Sequence, residues 1–112
     1  MAILSLTVTR QAETARAALD ANSSSMGEVQ AAMKNAGIEP RDLQTSGFSI
    51  QPTYVYPPQQ PSGKREPPKI VGYTVRNSLT VRVRDINQVG VILDKSVTLG
   101  VNEGGNITFT NN

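Results

Sequence analysis

From Lys69 to Arg84 the chain alternates. Val71, Tyr73, Val75, Leu79, Val81 and Val83 point one way; Thr74, Arg76, Ser78, Thr80, Arg82 and Arg84 point the other. A period of two is the signature of a β-strand. One apolar and one polar face over that length require an apolar layer on one side and water on the other, as in an antiparallel sheet covered on one face. Asn77 falls on the apolar side and reads as a bulge or a capped polar group. The rest of the chain must supply the other strands and the cover.

Residues 2–9 alternate in the same way, with Ala2, Leu4, Leu6 and Val8 opposed to Ile3, Ser5, Thr7 and Thr9. Residues 11–36 change period: Ala15, Leu19, Met26, Val29, Met33 and Ala36 recur at three and four, interrupted by Asn22. This is a helix, with Ser23-Ser24-Ser25 and Gly27 marking a possible kink, Gly37 at the C-terminal glycine position and Pro40 beyond it. Residues 43–56 are a second strand, with Phe48, Ile50, Pro52, Tyr54 and Tyr56 on one face; Pro52 assigns it to a sheet edge. Residues 57–68 (PPQQPSGKREPP) form a proline-rich, semi-rigid hairpin loop. Asp85 with Gln88 resembles a capping box. It opens a short helix whose expected buried stripe is Ile86, Val89, Ile92, Leu93 and Val97, and a last strand holds Ile107 and Phe109. The order βαββαβ, in a single domain spanning 1–112, predicts an α+β, ferredoxin-like plan: a four-stranded antiparallel sheet, two helices on one face and a long hairpin between the second and third strands.

Composition narrows the function. With neither cysteine nor histidine, the chain can hold no disulfide, thiolate zinc site, cysteine nucleophile or histidine-based triad. Carboxylates are the remaining general acid–base groups, but Asp85 reads as a helix cap and Asp94 as a solvated helix residue. Gly100–Gly105 leads into a strand and lacks the helix N-terminus that a phosphate cradle needs. No catalytic, cofactor-binding or metal residue is therefore assigned, and no small-molecule substrate is identified. Eleven basic against nine acidic residues give a net charge of +2, with the charges mixed along the chain rather than gathered into a nucleic-acid stripe. A βαββαβ ligand- or RNA-binding module is the alternative. An RNA-recognition sheet needs aromatics on its central strands, and the polar faces of 2–9 and 69–84 have none, so no nucleic-acid partner is expected.

The tip of the hairpin is the candidate site. Pro52, Tyr54, Val55 and Tyr56 gather aromatic and apolar surface at a sheet edge, as an interface does. They predict a homo-oligomer contact; the competing reading folds them back onto the domain's own helix.

Several segments, taken in order, resemble one family. They are Ala2–Gln11 (AILSLTVTRQ), Met33–Ile38 (MKNAGI), Arg41–Thr45 (RDLQT), Ile50–Pro57 (IQPTYVYP), Gly72–Asp85 (GYTVRNSLTVRVRD) and Ile92–Asn102 (ILDKSVTLGVN). The set is similar to the SIMPL-domain family over essentially the whole chain; no single motif carries it. The resemblance implies a bacterial cell-envelope protein, periplasmic with outer-membrane association, of unestablished biochemical activity and without a family-wide catalytic motif. It also implies an export signal upstream of Met1 and further helix and strand beyond Asn112, so that this chain would be a portion of a longer protein.

Overall fold

The computed structural model describes residues 1–59, 61–64 and 66–109, with side chains at 103–107 excepted. Gln60 and Arg65 of the proline-rich loop, the Ile107 side chain and residues 110–112 lie outside the described part. Four strands form one antiparallel sheet: β1 (Ala2–Ala12), β2 (Leu43–Val55), β3 (Lys69–Val83) and β4 (Glu103–Phe109), in the order β2-β3-β1-β4. Helix α1 (Ala15–Asn35) follows β1 and helix α2 (Val89–Thr98) follows β3; short 3-10 turns at Pro40–Asp42 and Ile86–Gln88 precede β2 and α2. The two strands read as most regularly alternating are the central pair, and β2 is an edge, as Pro52 required.

The core lies between the sheet and the helices. Ala2, Leu4, Leu6 and Val8 of β1 and Leu79, Val81 and Val83 of β3 pack in one cluster with Met26, Val29 and Met33 of α1 and Ile92 of α2. Both helices therefore cover the same face. Burying each of the larger side chains contributes about 1.5–3 kcal/mol.

Local chemistry sets the ends of the elements. Thr14 caps α1 by accepting from the Ala17 amide at 3.1 Å. Strand β1 thus runs three residues further than the expected 2–9, because Arg10, Gln11 and Ala12 still find partners on β3. Helix α1 continues through Ser23–Ser25. Both helices end in the same way: Gly37 and Gly100 adopt positive φ, which only glycine does at little steric cost. The residues after them, Ile38 and Val101, donate back to Met33 and Ser96 at 3.0 Å. This is the Schellman closure.

Three expectations need correction. In α2 only Ile92 and Ser96 are buried, with Val89 and Leu93 partly so; Ile86 and Val97 are exposed. Ile86 belongs to the 3-10 turn, whose tighter winding takes it off the helical stripe. Asp85 accepts from the Asn87 amide, and Gln88 makes no side-chain cap, so there is no reciprocal capping box. Asn77 marks no bulge either, since it pairs in register with Val8 and Phe48. The extra residues are Ser46 on β2 and Val71 on β3.

Candidate functional site

Strand β1 accompanies β3 only from Ala2↔Val83 to Ala12↔Tyr73, whereas β2 follows β3 out to Val55↔Lys69. Beyond Tyr73 the sheet is a two-stranded ribbon that projects from the body as an arm. The molecule measures 65 × 26 × 21 Å with a radius of gyration of 18.4 Å, against about 13 Å for a compact domain of this length. Helix α1 rests on β1 and β3, and β2 has no fully buried residue along its whole length.

Where the arm leaves the body, a Cβ on Gly72 would stand 2.8 Å from the Ala12 carbonyl oxygen. Glycine is needed there because another backbone crosses so close. A shallow crevice of about 260 Å³, lined by Ala12, Glu13, Thr53 and Tyr73 among others, marks this base. The Val71 bulge lies at this base and adds local twist.

All four sequence-predicted residues belong to the arm. Pro52 lies opposite Tyr73, Tyr54 opposite Ile70 and Val55 opposite Lys69, with Tyr56 next along the chain. Tyr54, Val55 and Tyr56 are exposed and do not fold back onto a helix; the Tyr54 and Tyr56 rings touch at a centroid distance of 6.4 Å, tilted by 39°. The structure adds Phe48, Ile50, Ile70 and Val71, all exposed. Phe48, Tyr54 and Tyr56 expose 55, 46 and 72% of their surface; at about 200 Å² per ring this is roughly 350 Å² of aromatic surface. One sequence signal marks the whole strip: from Leu43 to Gly63 there is no charged residue.

The remaining chemistry is structural. Asp42, 4% exposed, accepts from Arg84 through both oxygens, at 2.9 Å from Nε and 3.1 Å from Nη2. The hydrogen-bonded Arg84 guanidinium holds the Asp42 carboxyl below its usual value, against the opposing push of burial, and Arg84 is raised in turn. A carboxylate bound in this way has no free oxygen for proton transfer. Asn22, the polar interruption in α1, is buried and donates to the Val8 and Val75 carbonyls at 2.8 and 2.9 Å, straddling the two central strands. Arg10 donates to Thr9 O, Ser25 Oγ and Gly100 O, joining β1, α1 and the end of α2. The open sheet face is a field of hydroxyls, with Thr7 and Ser78 in contact at 2.8 Å. An apolar crevice between the helices, lined by Met33, Ala36, Val91 and Ile92, is also shallow. Among the described residues no cluster of three carboxylates forms a metal site, and no helix is long and apolar enough to cross a membrane.

A family model described as "SIMPL: Protein of unknown function (DUF541)" matches residues 1–112. Two curated proteins, each named "26 kDa periplasmic immunogenic protein", are 59% identical to the chain over 111 residues. They come from Brucella melitensis biotype 1 and Brucella abortus strain S19; the alignment covers 99% of this chain and 44% of each relative. The chain therefore spans under half the length of these relatives.

Proposed function

The chain belongs to the SIMPL family, and from that premise we propose that it serves as a non-catalytic interaction domain of the bacterial cell envelope that self-associates through its hairpin arm. The observation that carries this reading is the arm itself. An uncharged edge strand bearing Phe48, Ile50, Tyr54 and Tyr56 stands clear of the helices. Exposed apolar surface of roughly this area is often functional. Periplasmic residence, with outer-membrane association, is part of the proposal; the names of the two Brucella relatives support the periplasm. The non-catalytic reading rests on a chain without histidine or cysteine, whose strongest ion pair is mutually satisfied.

The test is the mass of the intact protein by light scattering, with and without the double change Tyr54→Ser and Tyr56→Ser. An oligomer that falls to lower mass while its circular dichroism stays the same supports the reading. A protein that is monomeric before any change, or an oligomer indifferent to both, overturns it.

A further inference from the structure

Which way the free amides of β2 point follows from a contact on the far side of the sheet. The Thr9 amide donates to Asn102 Oδ1 at 2.8 Å, and Asn102 Nδ2 donates to the Thr9 carbonyl at 2.8 Å. The Asn102 amide donates to the Thr7 carbonyl at 3.2 Å. Odd-numbered residues of β1 therefore turn their backbone groups toward β4, and even-numbered ones toward β3. Val8, Arg10 and Ala12 pair with Asn77, Val75 and Tyr73, so even-numbered β3 residues turn toward β2. Their partners there are Gly47, Ser49, Gln51 and Thr53. By elimination Phe48, Ile50 and Pro52 aim their backbone groups at the open edge. Pro52 thus withholds an amide only from the outside, and leaves the β2–β3 ladder intact.

Resting on the self-association reading, we infer that two copies join β2 to β2 across a two-fold axis beside Ser49, making one continuous sheet from two. A second copy is the occupant for three reasons. Edge strands are ordinarily defended by charge, especially lysine, and β2 has none; like residues can meet across a two-fold axis without repulsion. With Ser49 on the axis, Phe48 faces the partner's Ile50 and Ile50 the partner's Phe48. Every amide and carbonyl of those four residues is then paired, and Pro52 is left toward the ends. An aromatic and a β-branched side chain also lie opposite each other, a favourable cross-strand combination. Such an interface is isologous and closes as a pair, so larger assemblies would need a second surface.

The chain has no cysteine, so with any cysteine elsewhere in the intact protein changed to serine, cross-linking reports only on the introduced thiols. On the axis, Ser49 meets its own copy as a non-hydrogen-bonded pair, with Cα atoms about 4.5 Å apart, inside disulfide range. Thr53 lies roughly 26 Å from its own copy in this register. Ser49→Cys in the intact protein should form a covalent dimer under copper–phenanthroline oxidation, with Thr53→Cys remaining at least tenfold less cross-linked. Ile50→Pro removes one outward amide and should raise the dimer dissociation constant at least tenfold with circular dichroism unchanged. A protein that associates by light scattering but cross-links better at Thr53 than at Ser49, or ignores Ile50→Pro, overturns the β2–β2 pairing and leaves self-association standing. A protein that never associates overturns both.

Discussion

Strand β3 passes through two environments. Its C-terminal part, Val75 to Val83, buries Val75, Leu79, Val81 and Val83 beneath α1; its N-terminal part holds Ile70 and Val71 half in water. Both carry apolar side chains, although the bulge at Val71 interrupts the alternation of the second. What differs is the neighbour: β1 and a helix flank the first, and only β2 accompanies the second. An apolar strand face is thus a demand for cover, and the fold meets that demand along only part of the strand. The uncovered part is the surface that the proposed self-association would cover.

The largest test of this contrast is Leu6→Ala, in the fully covered body. It should destabilise the fold by about 2–5 kcal/mol by chemical denaturation, whereas Ile70→Ala on the arm should stay within about 0.5 kcal/mol. Equal losses would mean that the arm is covered within the monomer. At the boundary, Gly72→Ala places a methyl against the Ala12 carbonyl and should cost about 1–3 kcal/mol. An unchanged denaturation midpoint would show that β1 does not grip the arm there.

Acid distinguishes the two regions less strongly. The folded Asp42 carboxyl is held below its unfolded value near 3.8. Its contribution is therefore complete above that pH and is lost as pH falls through the lower folded value. Asp42→Asn should flatten the stability profile below about pH 4 and leave the arm's self-association at neutral pH unchanged. A profile identical to the parent's would remove Asp42 from the body's acid response. The smallest expected effect on folding belongs to the Tyr54→Ser, Tyr56→Ser pair: within about 0.5 kcal/mol on the monomer. A larger loss would mean that the rings support their own fold.

The sheet was legible because Leu4, Leu6, Val8 and Val75–Val83 alternate strongly and find a helical stripe at Met26, Val29 and Met33. Pro52 correctly located an edge. Ile86 and Val97 misled, since local periodicity does not say that a 3-10 turn precedes α2 or that its far side faces water. Asn22 read as an interruption because its reward, two carbonyls on different strands, is a tertiary contact invisible to a window of sequence. In the arm, Tyr54 and Tyr56 were conspicuous as aromatics. Val71 looked like an ordinary core position, because nothing in the alternation announces where α1 stops.

The Arg10 contacts bear on how the molecule comes apart. Its guanidinium is held by two carbonyls and a hydroxyl, none of them a carboxylate. At the opposite end of the sheet the fastening is a carboxylate, Asp42 with Arg84. One fastening therefore depends on a carboxylate and the other does not. Acidification should unzip the protein directionally, freeing the turn that leads into β2 while the seam of β1, α1 and α2 at Arg10 stays shut.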